Sequence, residues 1–304
     1  MTFSAQVKTE LCALPIERDC CAAAEAYGLL LYGNRFDEEQ IRLVTSYDAL
    51  AERIPALFDR GFGIDIGAGS RQRTRTEFII DRDDHRRVIF HTLGYDYKYH
   101  LTYHLNRNVI EEDCCRTAFL RGVFLAAGTV ASPEKKAHLE LTTSHQGLSR
   151  EVLSLMLDMG LNPRQGVRKS SALLYWKDTA GIRRFLELTG AVRGAQALEQ
   201  EARQKELRNR INRRVNCETA NLIKASNAAA EQIVFIERAL ELSEEELFTE
   251  AMRETVRLRL AHPDASLSEL AALHDPPISK PGLSHRLKKI VSLAQKALAS
   301  EEKP

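Results

Sequence analysis

No apolar run in this sequence approaches the roughly 18 residues that a membrane-spanning helix requires. The opening stretch, MTFSAQVKTELCALP, carries no apolar core of the kind that drives secretion. Neither a membrane span nor a secretory leader is expected, so a cytoplasmic chain is. Cysteine is sparse, and six residues (12, 20, 21, 114, 115 and 217) among 304 are too few for a disulfide scaffold. Net charge is nearly absent, because 43 Lys+Arg stand against 42 Asp+Glu. That balance excludes a uniformly charged surface as the source of any partner preference. A nucleic-acid signal has to come from where the charges sit. What is present is globular: 44% hydrophobic and 28% charged residues, with length for two domains at roughly 150 residues each.

An internal repeat organises the first half. Residues 19–28 read DCCAAAEAYG and residues 113–122 read DCCRTAFLRG, with Asp, both Cys, one Ala and the final Gly identical at an offset of 94. Self-similarity at this level marks a duplicated unit. Each copy runs on through apolar residues, a strand-like segment (41–46 and 138–144) and an amphipathic helix (47–63 and 148–160). TEFII and then DDHRRVIFHTLG close the first copy. Strand-like VRKSSALLYW (167–176) and a helix over 180–190 close the second, so that both copies read helix–strand–helix–strand–strand–helix. Two such units, about 19–105 and 113–195, form one pseudo-symmetric domain over 1–195.

The stretches AYGLLLYGN (26–34) and LRGVFLAAG (120–128) resemble the paired interface helices of LAGLIDADG homing endonucleases. In that family the helices pack at small residues, and the penultimate acid of each motif holds the catalytic metal. Carried over position by position, the packing residues are Gly28 and Gly122, and the acid positions are Gly33 and Ala127. Neither Gly33 nor Ala127 offers the oxygen donor that Mg²⁺ demands. The resemblance therefore implies a retained scaffold without nuclease chemistry, so no enzyme, metal or cofactor is expected. The adjacent cysteines read first as helix-start residues buried in packing, since neighbouring side chains diverge and zinc sites favour wider spacing; the alternative is that the two pairs meet across the pseudo-twofold in a metal or redox role.

Arg71, Arg73 and Arg75 recur at period two, which in a strand puts all three on one sheet face. Residual DNA contact and a charged, solvated strand edge both fit that pattern. Past Gly194 the composition turns basic. RQKELRNRINRRVNCETANLIK (203–224) has an apolar stripe at Leu207, Ile211, Val215 and Leu222, hence a helical linker over 196–235. Exposed Asn and Arg, notably Arg210, Arg213 and Arg214, could meet phosphates, while a solvated interdomain helix fits the same residues.

Charge separates sharply beyond 236. Acidic residues dominate 241–275, whereas 276–298 holds Lys280, Arg286, Lys288, Lys289 and Lys296 with no acid. Ser266-Leu-Ser-Glu269 is a capping box opening a short helix, and Pro276-Pro277 ends it. A second helix opens near Lys280-Pro281-Gly282, with Leu283, Leu287, Ile290 and Ala294 facing inward. With a helical element over 251–261, residues 236–304 read as a helix-turn-helix domain. Its DNA-contacting candidates are Ser279, Lys280, Ser284, His285, Arg286, Lys288 and Lys289.

The combination of the degenerate repeat domain, NRRVNCETAN (212–221) and PPISKPGLSHRLKKI (276–290) resembles the WhiA family. The expected fold is α+β: a pseudo-twofold LAGLIDADG-like N-terminal domain joined by a basic helical linker to an all-α helix-turn-helix domain. The resemblance implies a nucleoid-associated, double-stranded-DNA-binding transcription regulator of sporulation, cell division and chromosome segregation, with a WhiB-type regulator as partner. Two alternatives stay open: a scaffold acting mainly through protein partners, and a nuclease whose carboxylates moved to Asp37, Glu38 and Glu39.

Overall fold

Two helices rich in Ala and Leu, apolar around most of their circumference, have no face to give to water and become the centre of the first domain. The computed structural model describes residues 1–97, 103–242 and 247–301. The chain divides into two units, 1–206 and 207–304.

In the first unit, α2 (Asp19–Leu31) and α5 (Asp113–Ala127) lie side by side, with α2 buried on every side from Ala22 to Leu31. Their close approach is possible only because two side chains are missing. A Cβ on Gly122 would lie 2.0 Å from the Glu25 carbonyl oxygen, and one on Gly28 would lie 2.3 Å from that of Phe119. Beside this crossing the buried Glu25 carboxylate meets Arg53 Nε at 2.6 Å and Arg121 Nη1 at 3.0 Å. Arg53 Nη1 also donates to the Cys12 and Leu14 carbonyls, so charge and hydrogen-bond partners are supplied together, as a buried ion pair requires.

Each central helix is followed by an antiparallel four-stranded sheet of the same topology, β1-β2-β4-β3 and β5-β6-β8-β7. The strands are β1 (Arg35–Phe36), β2 (Ile41–Thr45), β3 (Ser70–Gln72) and β4 (Arg75–Ile80), then β5 (Gly128–Val130), β6 (Leu139–Thr143), β7 (Arg164–Arg168) and β8 (Ser171–Trp176). Helices α3 (Asp48–Phe62) and α4 (Asp83–Thr92) complete the first repeat, and α6 (Gln146–Asp158) and α7 (Thr179–Thr189) the second. An additional helix, α1 (Phe3–Cys12), precedes the repeats and buries Val7, Lys8 and Leu11. The expected order of elements gains one short strand per repeat, directly after each central helix.

Strand-like 167–176 folds as a hairpin, with Val167 paired to Ala172 and Arg168 to Ser171. One local expectation is corrected: Arg71, Arg73 and Arg75 do not share a face. Arg73 occupies the turn between β3 and β4 with φ 53°, and Lys169 occupies the equivalent turn with φ 56°. Arg71 pairs with Thr76, whereas Arg75 pairs with Gln72. Directly paired residues share a face and neighbours along a strand alternate, so Arg71 and Arg75 point to opposite sides. Arg71 bonds Asp48 at 3.1 Å, and Arg75 stays on the side away from Phe78 and Ile80. The period of two was a hairpin crossing, which charge spacing does not distinguish from a strand.

Helix α8 (Val192–Leu242) runs unbroken for 51 residues. In the first unit its Ala195 and Leu198 join the core, and in the second Ile236 and Ala239 do so. Those two residues pack with Phe248, Met252 and Val256, with Leu270 and Ala271, and with Leu283, Leu287, Ile290 and Ala294. They lie on or beside α9 (Glu250–Ala261), α10 (Leu267–Ala272) and α11 (Lys280–Glu301). The acidic run at 244–246 and the ends of the 19–105 and 236–304 assignments fall partly outside the described residues. Among the described residues no helix is long and apolar enough to cross a membrane.

Candidate nucleic-acid interface

In the second unit the capping box forms as its spacing requires: Glu269 N–H donates to Ser266 Oγ at 3.3 Å, and Ser266 N–H donates to Glu269 Oε2 at 2.8 Å. The short α10 that it opens buries Leu270 and Ala271. Arg259, 2% exposed, donates to the Ala265 carbonyl at 2.9 Å and fastens the turn from α9 into α10. His274, equally hidden, donates through Nδ1 to the Leu270 carbonyl, with Nε2 2.9 Å from Thr255 Oγ1. Two buried polar side chains thus set the angle between α10 and its neighbours, although nothing in the local pattern marked them as special.

At the start of α11, Ser279 Oγ accepts from the Gly282 N–H at 3.2 Å, so this serine is the helix cap. Buried Leu283, Leu287, Ile290 and Ala294 hold one face against the core. Lys280, His285, Lys288 and Lys289 are exposed, and Ser284 is half-buried between them. Arg286 departs from its expected outward place. It is half-buried, and its Nη1 donates to the Ala251 carbonyl at 3.1 Å and to Thr255 Oγ1 at 3.3 Å. Its position, three residues from Leu283 and four from Ile290, borders the apolar stripe and turns it onto α9. The outward basic surface of the helix is therefore Lys280, His285, Lys288 and Lys289.

On α8, residues 206–228 are exposed, including Leu207, Ile211, Val215 and Leu222 at 51–72%. Arg210 and Arg214 are helical neighbours four apart, and Arg214 also bonds Glu218 at 2.8 Å. Arg213 is exposed as well. Asn209 and Asn216 lie four and three residues from Arg213 and share its face, while Arg210 and Arg214 lie to one side of it.

The carboxy-terminal ends of α2 and α5 are where the resemblance would place catalytic acids. Gly33 and Ala127 occupy symmetry-equivalent positions there. The adjoining pocket, about 300 Å³, is lined by Tyr32, Asn34, Thr45, Tyr47, Arg75 and apolar neighbours, without a carboxylate. The side chains of Asp37 and Glu39 are both engaged by Arg35 in the β1–β2 turn. The donor set does not fit a catalytic divalent metal. A cation of the protein's own sits nearby: Lys8, 3% exposed, donates to the Leu125 carbonyl at 2.9 Å in the last turn of α5 and lies 4.7 Å over the Tyr47 ring.

Burial lowers the Lys8 pKa to about 8 from 10.5. The folded chain then binds this proton less tightly than the unfolded chain does. Between pH 8 and 10.5 the unfolded state holds more protons, so this residue makes stability rise with pH. A Lys8→Met variant is expected to lose that rise, worth up to about 3 kcal/mol at about 1.4 kcal/mol per pH unit. Denaturant titrations of both proteins from pH 7.5 to 10.5 check it, and identical pH slopes would contradict it.

Comparisons with known proteins agree with both units. The family model described as the WhiA LAGLIDADG-like domain matches residues 116–208, and the WhiA C-terminal HTH domain matches 211–294. A probable cell division protein WhiA of Carboxydothermus hydrogenoformans is 35% identical, covering 97% of this chain and 98% of that protein. Its counterpart in Ruminiclostridium cellulolyticum is 34% identical at the same coverage. The crystal structure of full-length WhiA from Thermatoga maritima matches with a TM-score of 0.60 at 22% identity, covering 97% of this chain and 99% of that one. The fold is a LAGLIDADG-like domain followed by a helix-turn-helix domain, and the chain belongs to the WhiA family.

Proposed function

We propose that this protein is a sequence-specific duplex-DNA-binding regulator that does not cleave its target. The observation that carries this reading is the outer face of α11. Lys280, His285, Lys288 and Lys289 project from a helix whose other face is locked into a small core, and no acid interrupts 276–298. A helix so presented fits the major groove. There lysines neutralise phosphates, while residues near its start, here Ser284 and His285, reach base edges. Arg210 and Arg213 on α8, and Arg75 and Arg73 on the first repeat, are secondary phosphate contacts in this reading. The relatives' name supports a role in cell division. From the family resemblance we extend it to transcription regulation, chromosome segregation and sporulation, exercised in the cytoplasm on the nucleoid.

A second reading has its own observation. The uncovered stripe of Leu207, Ile211, Val215 and Leu222 is an apolar helix face suited to a protein partner, of which a WhiB-type regulator is one. The two readings are compatible.

The test is fluorescence anisotropy of the full chain on genomic and random duplexes across a salt series, in EDTA and again in Mg²⁺, with the products run on a denaturing gel. Tighter binding to some genomic fragments at physiological salt, unchanged by EDTA and without nicking, is the expected outcome. Equal affinity for random DNA, or metal-dependent strand breaks, would overturn the proposal.

A further inference from the structure

The duplication that builds the first unit also brings four thiols together. Cys20 and Cys21 stand in the first turn of α2, and Cys114 and Cys115 at the equivalent places in α5. Because the two helices run side by side, all four Sγ atoms lie within 4.8 Å of one another, with Cys114 and Cys115 3.9 Å apart. The expectation that adjacent cysteines diverge fails here. Each pair sits at a helix start, and the partner repeat supplies the other half of the ring. Burial does not explain the group, since Cys20 is exposed, Cys21 and Cys114 half-buried and only Cys115 hidden.

The spacing matches a particular chemistry. Four thiolates at about 2.3 Å from one zinc ion form a tetrahedron with edges of about 3.8 Å. Side-chain rotation alone closes a ring of this size. An iron–sulfur cluster interposes several metal and sulfide atoms and needs the thiolates farther apart. The surroundings suit an anionic complex. The thiols belong to the first turns of two helices, 13 and 15 residues long, where the helix dipole favours negative charge. The Arg18 Nη1 lies 3.8 Å from Cys114 Sγ. The nearby carboxylates are already occupied, Asp19 by Arg60 and Asp113 by Arg116.

We propose that Cys20, Cys21, Cys114 and Cys115 form a structural tetrathiolate site for one zinc ion, which clips the two repeats together at the amino-terminal ends of their central helices. The site has no open coordination position, so its role is stability rather than catalysis. Its sulfur-only donors select a thiophilic ion over Mg²⁺.

The test uses the full chain purified anaerobically in a non-thiol reductant without added chelator. Elemental analysis is expected to give one zinc per chain, and a strong chelator is expected to lower the melting temperature of the first unit. Replacing zinc with Co²⁺ should give the intense visible bands and near-ultraviolet thiolate charge-transfer of a tetrahedral sulfur site. The Cys20→Ser/Cys115→Ser variant should lose the metal, whereas Cys217→Ser should retain it. If the double variant fails to fold, the cobalt spectrum of the unmodified chain decides. Sub-stoichiometric metal together with no cobalt charge-transfer band would overturn the proposal. So would iron with acid-labile sulfide, or a mass two hydrogens lighter showing a disulfide among these cysteines.

Discussion

A Gly122→Ala substitution is expected to destabilise the first unit by about 3–5 kcal/mol, a large share of the roughly 5–15 kcal/mol that holds an ordinary domain together. The added methyl would sit 2.0 Å from the Glu25 carbonyl oxygen and 3.1 Å from the Leu29 nitrogen, both backbone atoms with no rotamer to adopt. Relief requires α2 and α5 to move apart along their whole contact. That movement stretches the Arg121–Glu25 bond, now 3.0 Å, while Glu25 stays buried beside Arg53. Overpacking and a partly uncompensated buried charge then add. Gly28→Ala should behave alike, because its methyl meets the Phe119 carbonyl oxygen at 2.3 Å. Gly147→Ala is the control: nothing lies within 4 Å of its added carbon, and alanine in α6 should stabilise by about 0.5–1 kcal/mol. Chemical denaturation followed by far-ultraviolet circular dichroism separates these outcomes. Equal midpoints for Gly122→Ala and the parent chain would mean that the two helices do not approach this closely.

The second large effect is on affinity. Changing Lys280, His285, Lys288 and Lys289 together to Ala should weaken specific DNA binding by roughly a hundredfold or more at physiological salt, with good base contacts worth about 1–3 kcal/mol each. Losing three lysines should also flatten the salt dependence by about one unit of log–log slope per phosphate contact removed. Folding should be unaffected, because all four side chains are exposed and none belongs to the core. Arg286→Ala should do the reverse. It removes bonds to the Ala251 carbonyl and Thr255 Oγ1, lowering the melting temperature of the second unit while leaving the salt slope unchanged. Equal salt slopes for the quadruple variant and the parent chain would remove α11 from the interface.

Much of this organisation was legible in the sequence because it rests on short-range rules. The Cys-Cys repeat revealed the duplication, the Ser266–Glu269 spacing fixed a helix start, and Pro276-Pro277 fixed its end. Other features were not legible, each for a physical reason. The turns at Arg73 and Lys169 use ordinary side chains at positive φ, where glycine or asparagine would have announced a hairpin. Arg259, Arg286 and Lys8 look like surface charges until the tertiary fold supplies carbonyl partners to bury them. Glu25 is likewise unremarkable until Arg53 and Arg121 converge on it from other helices. The cysteine ring was within reach, because the repeat offset alone puts the two pairs at symmetry-equivalent places. The divergence of adjacent side chains favoured plain burial over a meeting of the two pairs across the pseudo-twofold. At the interface, the basic face of α11 could be read from the sequence, but not which of its cations the core would claim.

Selection of bound duplexes from a randomised library by the full chain, repeated with Ser284→Ala/His285→Ala and with Lys288→Ala, tests the central claim most directly. If α11 reads sequence, the parent chain enriches one recurring motif. The Ser284/His285 variant then loses preference at particular base pairs within it, while Lys288→Ala keeps the motif and binds all members more weakly. Enrichment of no motif, or of one that both variants leave unchanged, would show that recognition lies elsewhere in the protein.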